Sequence, residues 1–231
     1  MFSWASATLF IALAASPTFA APSLRSAKGF QPPTTKTGCY VSASVLPELL
    51  PANQTALVAP TSAPNFVALG VGVQNYTCSS TGTFTNIGAV AELFDISCIA
   101  SKPIQTEEFK KWSATSQTVQ ELIEETGKQP FVLGQHFFIA NPTPGGANVP
   151  KFDFTSNRFS DNANAFAVMS KVGDILAPTG SNDIDWLELN KTSGALANQI
   201  FRVTTVEGTD GAACTSGETA SVKYIAKYFF Y

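Results

Sequence analysis

Histidine occurs once in this chain of 231 residues, at His136, and methionine only twice. The four cysteines, Cys39, Cys78, Cys98 and Cys214, include no C-x-x-C pair. One imidazole and no closely spaced thiols leave too few ligands for a Cys/His zinc set, so no metal site is expected. A serine hydrolase would depend on that one histidine, and no G-x-S-x-G elbow is present. Charge is scarce as well. Charged residues are 13% of the chain, the net charge is −3, and the basic residues are scattered, which leaves no clustered positive footprint for nucleic acid or an anionic membrane. Beyond the first twenty residues no apolar run is long enough to span a bilayer as a helix. The terminal "SVKYIAKYFFY" also lacks the long apolar tail of a GPI signal, so no membrane anchor is expected.

What the chain does have begins with its leader. "MFSWASATLFIALAASPTFA" carries an apolar core from Ala5 to Ala15, followed by Thr18 and Ala20 at the −3 and −1 positions of a cleavage site. This predicts a secretory signal over residues 1–20 and an extracellular protein, with cell-wall association left open. Removing it leaves 231 − 20 = 211 residues, a length suited to one β sandwich or barrel. Export also places the four cysteines in an oxidising compartment and favours two structural disulfides. Three connectivities are possible. Cys78–Cys98 with Cys39–Cys214 is favoured, because the first would join consecutive expected strands and the second would tie the N-terminal arm to the C-terminal half.

Residues 21–65, with "QPPTT", "LPELLPANQT" and "APTSAPN", read as a Pro-, Thr- and Ser-rich arm held by Cys39. From Phe66 to Tyr231 short β-type runs alternate with turn signals, which predicts one mostly β domain, an antiparallel barrel or sandwich of about eight strands. The last strand is the plainest. Val222, Tyr224, Ala226, Tyr228 and Phe230 share one face, and Lys223 and Lys227 share the other, so one face is expected in the core and the other in water. One segment departs from this rhythm. Around residues 105–127, Thr106 is a candidate N-cap, Val119, Leu122 and Ile123 form a helical stripe, and Gly127 supplies a stop. A short helical insertion is expected there, packed across the sheet.

"GVGVQNYTC" places Gly70 and Gly72 in G-x-G spacing, but the third glycine of a dinucleotide turn is missing. Val73, Tyr76 and Thr77 favour extended chain over a helix start. The stretch is therefore expected to be a strand, with no nicotinamide or other cofactor. Taken in order, "LGVGVQNYTC", "GAVAELFDIS", "LGQHFF", "DIDWLELN", "FRVTTVEGTDGAAC" and "VKYIAKYFFY" closely resemble the DUF3455 family of fungal and bacterial proteins, over approximately residues 66–231. The resemblance implies a secreted, mostly β domain without assigned chemistry, and it carries no catalytic residues across. Members are often labelled malate dehydrogenase, a reading opposed here by the missing fingerprint and the absence of β-α alternation. The family's arginine block reads R-V-N-T followed by a glycine pair. Here Thr204 stands at the asparagine, and Val206, Glu207 and Gly208 follow.

Candidate site residues are few. His136 shares a strand face with Val132, Gly134 and Phe138, and a satisfied core imidazole is favoured over a catalytic base. Trp186 could stack on a sugar or line an apolar pocket. Arg202 sits among aliphatics and, if buried, needs a partner, an ion pair being the usual solution. Asp153, with Asp183, Asp185 and Glu188, lies near aromatic strands, where paired carboxylates would serve glycoside hydrolysis. The expected function is a non-enzymatic binding protein for a cell-wall polysaccharide or small apolar ligand, through His136, Trp186, Arg202 and Asp153. The alternative is an extracellular hydrolase using His136 or paired acids. Sequons occur at Asn53, Asn75 and Asn190. Asn53 in the arm and Asn190 in the "NKTSG" turn are expected to carry glycan, and Asn75, on the face of Val71 and Val73, is expected to point inward without one.

Overall fold

A computed structural model describes Phe30 and residues 37–231. The expected signal segment 1–20, its cleavage site and the first part of the arm lie outside the described residues. Eight strands follow in order: β1 (Phe66–Cys78), β2 (Phe84–Asp95), β3 (Val132–Ile139), β4 (Val149–Asp153), β5 (Phe166–Ile175), β6 (Trp186–Gly194), β7 (Gln199–Glu207) and β8 (Thr219–Phe230). Each pairs antiparallel with the next, and β1 also pairs with β8, so the sheet closes into a barrel. Barrel and sandwich were both open from the strand pattern, and the β1–β8 pairing decides between them. Closure leaves no sheet edge to protect.

Gly70 and Gly72 lie within β1, as the β-type residues around them require. A Cβ on Gly70 would meet the Tyr228 ring at 2.5 Å, and one on Gly72 would meet the Val90 carbonyl at 2.0 Å. These glycines let an aromatic ring and a neighbouring backbone approach closely.

Alternation along the strands divides the buried residues into two cores. Inside the barrel lie Leu93, Leu133, Phe152, Phe154, Met169, Ile200, Tyr224, Tyr228 and Phe230, with Ala68, Ala91, Ala167 and Ala226 between them. An eight-stranded barrel has an interior just wide enough to be filled by side chains, and small residues beside large ones achieve that here. Outside the wall lie Val67, Leu69, Val71, Phe94, Phe201, Val203, Ile225 and Phe229. They are covered by Trp112 and Leu122 of the helical insertion and by Phe30, Val41, Leu46 and Leu57 of the arm. The Phe30 ring lies 6.0 Å from Trp112 and 6.1 Å from Phe94, centroid to centroid.

This outer core corrects the expectation that the lysine face of β8 is wet. Lys227 is buried and donates to the carbonyls of Ala100 (2.8 Å) and Lys102 (2.7 Å). Lys223 donates to the carbonyls of Trp112 and Thr115 while lying 3.9 Å from the Trp112 ring centroid. Both ammonium groups bond backbone carbonyls of the segment that carries the helices, pinning the insertion to the barrel wall.

The insertion is two helices, α2 (Gln105–Ser113) and α3 (Val119–Thr126), and the arm adds a single turn, α1 (Val45–Leu49). Thr106 is not a cap, since α2 begins at Gln105 after Ile104. The cap belongs to α3, where Thr118 and Glu121 exchange hydrogen bonds in a capping box and Gly127 ends the helix.

The disulfides are Cys39–Cys98 and Cys78–Cys214, not the favoured pairing. β1 and β2 are adjacent, but Cys78 ends β1 at one end of the barrel while Cys98 follows β2 at the other, so strand adjacency misleads. The bridges close 59 and 136 residues of chain. Loops of that size correspond to about 4 and about 5 kcal/mol in the chain-entropy picture.

Candidate functional site

The ends of six strands meet at one mouth of the barrel around a cleft of about 280 Å³. Gln74 and Tyr76 reach it from β1, Asn86 from β2, Phe138 from β3, Lys171 from β5, Leu187 from β6 and Arg202 from β7, with Ile184, Asp185 and Thr209 completing the wall. At the opposite end a smaller notch of about 200 Å³ lies between Phe66, Phe159 and Leu196.

Arg202 is held by the segment before β6. Its Nε and Nη2 both donate to the Asp185 carbonyl, at 3.0 and 2.8 Å. No carboxylate forms an ion pair with it among the described residues, so the expected structural ion pair is replaced by a carbonyl clamp with a further bond to the Tyr228 hydroxyl, and the side chain lines the cleft. The clamp is braced. Thr205 Oγ1 donates to the Ile184 carbonyl at 2.6 Å, the Glu207 N–H donates to the Asp183 carboxylate, and the Tyr76 hydroxyl donates to the Gly208 carbonyl at 2.6 Å.

These bonds follow from an irregularity in β7. Its ladder to β8 shifts register between Val203 and Val206, and Thr204 (φ 47°) and Glu207 (φ 59°) adopt left-handed backbone. Bulges bend a strand and re-aim its side chains. For a β-branched residue such as Thr204 that conformation is a real outlier, of the kind that concentrates at ligand clamps. The segment thus turns through left-handed Thr204 and Glu207 into Gly208, whose φ is 101°.

A polar layer runs from exposed Asn86 at the rim to buried residues beneath the cleft. Asn86 donates to Gln74 at 3.0 Å, and the Tyr224 and Tyr228 hydroxyls are 2.9 Å apart. Burial, then the neighbouring Tyr228, pushes the Tyr224 phenol well up. Burial also raises Tyr228 and Tyr76, with Arg202 opposing both shifts. His136 lies in this interior, 3% exposed, stacked on Phe152 at 4.3 Å, with Nδ1 3.0 Å from the Lys151 carbonyl. Burial, with a smaller push from Arg202, lowers its pKa to about 4. The imidazole is therefore neutral and donates through Nδ1. It fills the core and does not face the cleft as a base.

Of the four expected site residues, only Arg202 lines the cleft, with His136 deeper inside. Trp186 is buried in the outer core, and Asp153 lies on the outer wall, bound to Lys151 at 2.7 Å and to Thr155. The other acids are mostly engaged. Glu188 accepts from the Val58 N–H and from Gln199, and both Asp183 oxygens accept hydrogen bonds, from Glu207 and Thr179. Asp185 alone reaches the cleft. Gln74, Tyr76, Asn86 and Lys171 were missed, although the same alternation that sends Val71 and Val73 outward sends Gln74 and Tyr76 inward.

The sequons differ from expectation too. Asn53 is exposed. Asn190 lies inside strand β6, not in a turn, with a buried side-chain oxygen. Asn75 shares the outer face of β1 with Val71 and Val73, is half-buried and accepts from Ser221 at 2.7 Å.

Fold and cleft together define a closed antiparallel β-barrel with a filled interior and a polar mouth. The chain belongs to the family described as "Protein of unknown function (DUF3455)", whose model matches residues 59–231. No curated protein and no solved structure matches the chain.

Proposed function

We propose that this chain is an exported, non-enzymatic binding barrel that holds a small polar ligand in its mouth cleft. The observation that carries the reading is Arg202, a cation fixed by a braced carbonyl clamp and lining a cleft without a carboxylate partner. Ligand sites are concavities with a few well-placed polar groups, and a volume of about 280 Å³ suits something smaller than a drug-sized molecule, such as one sugar ring. Phe138, Ile184 and Leu187 give that ring an apolar surface. A small apolar ligand is less suited, because aromatic rings already fill the barrel. A cleft of about 280 Å³ would take one end unit of a cell-wall polysaccharide. Two disulfides and the leader support an extracellular setting.

The hydrolase alternative has less support: His136 is sealed beneath the cleft, and Asp183 is spent on backbone and hydroxyl contacts. Calorimetric titration of the purified protein against neutral sugars, sugar acids, wall-polysaccharide fragments and fatty acids tests the reading. Binding of a sugar-sized compound that weakens at least tenfold in Arg202→Gln is expected. Tight fatty-acid binding indifferent to Arg202 would overturn it.

A further inference from the structure

We infer that the ligand of the mouth cleft carries a carboxylate, and that Arg202 receives it. This rests on the cleft being the binding site. A guanidinium has five N–H donors and no acceptor. Two groups, Nε and Nη2, are committed to the Asp185 carbonyl, and a further bond joins the guanidinium to the Tyr228 hydroxyl, so two of the five donors (5 − 3) remain for a ligand.

Of the neutral groups around it, Gln74 keeps one donor, Nε2, outside any hydrogen bond of normal geometry. The Tyr76 hydroxyl is spent on Gly208, and the Asn86 amide on Gln74 and Gly88. Arg202 and Gln74 thus leave donors unspent against the one acceptor carboxylate of Asp185, and the planar guanidinium matches a carboxylate's two oxygens. Charge selects the same class. The charged lining residues are Arg202, Lys171 and Asp185, a sum of one positive charge, with Lys171 also paired to Asp174 at the surface. One carboxylate balances that sum. A phosphate dianion would place excess negative charge beside Asp185.

The clamp is also preorganised. The bonds from Thr205, Glu207 and Tyr76 fix the 183–185 and 205–208 segments against each other before any ligand arrives, which reduces the ordering cost of binding. The acid could be a free sugar acid or the terminal residue of an acidic polysaccharide, which present the same group.

The test is amide chemical-shift mapping at fixed ionic strength with galacturonate and gluconate, against galactose and glucitol as neutral counterparts. Trigalacturonate distinguishes a polymer end from a free acid. Shifts at residues 74–76, 184–187 and 202–209 with the acids, at least tenfold weaker with the neutral compounds, are expected. Arg202→Gln should weaken acid binding about tenfold or more. Asp185→Asn should tighten it roughly two- to tenfold by removing a like charge, a gain that misfolding cannot produce. Equal shifts from acids and neutral sugars would overturn the carboxylate assignment and leave the cleft as the binding site. No cleft shift with any of them would overturn both.

Discussion

Thr204 and Glu207 hold left-handed backbone in β7. Asparagine and glycine tolerate that conformation better than threonine or glutamate. Thr204 gains nothing in return, since its buried hydroxyl has no partner. Thr204→Asn and Glu207→Gly are each expected to raise stability by about 0.5–1 kcal/mol, seen as higher denaturation midpoints. A fall in both midpoints would contradict the bulge. His136 makes a separate prediction. Its folded pKa of about 4 lies below the ordinary 6.5, so the unfolded chain binds more protons between these values. Its contribution is complete above pH 6.5 and is lost as pH falls toward 4. His136→Phe should flatten the stability-versus-pH slope across that window, measured by urea unfolding at several pH values. At this scale Arg202 was legible, because a cation among aliphatics needs a special partner. Trp186 and Asp153 were not, because the alternation that pairs side chains on a strand does not say which face is the barrel lumen.

Among the elements, the helical insertion was legible from the stripe Val119, Leu122, Ile123. What it does to the wall beneath it was not. Because α2, α3 and the arm cover the outer face of β1, β2 and β8, two charged residues written in an alternating pattern are buried there. Glu92 is fully buried on β2 with neither carboxylate oxygen in a hydrogen bond of normal geometry, and a Cβ on Gly127 would sit 3.4 Å from Oε1. Burial raises its pKa to about 8, with Gln135 opposing. The folded carboxyl thus stays protonated where the unfolded one ionises, so its contribution is complete below about pH 4.5 and is lost as pH rises through 8. Glu92→Gln should therefore be more stable than the parent at pH 7, by roughly 2–3 kcal/mol, and equal to it at pH 4. Equal stability at both would show an ionised, solvated Glu92. Lys227 acts in the same layer. Lys227→Met removes the ammonium bonds to the Ala100 and Lys102 carbonyls, so amide exchange across 97–113 should accelerate tenfold or more while β1 stays protected.

For the whole molecule, eight strands could be read from their periodicity, and the order of the family blocks placed them in one domain. Closure could not be read, since β1 and β8 are at opposite ends of the matched segment and pair only once the sheet has curled. The bridges depend on the same geometry, and peptide mapping of the non-reduced protein should recover Cys39–Cys98 and Cys78–Cys214. Recovery of Cys78–Cys98 would be incompatible with this barrel. A filled lumen with one polar mouth leads to the central claim, that ligand is held at the mouth and not within the barrel or on its outer wall. A crystal structure of the protein soaked with galacturonate tests it most directly. Density between Arg202 and Leu187, with His136 still stacked on Phe152, is the expected result. Density among Phe152, Tyr228 and Phe230, or against Trp186 on the outer wall, would contradict it.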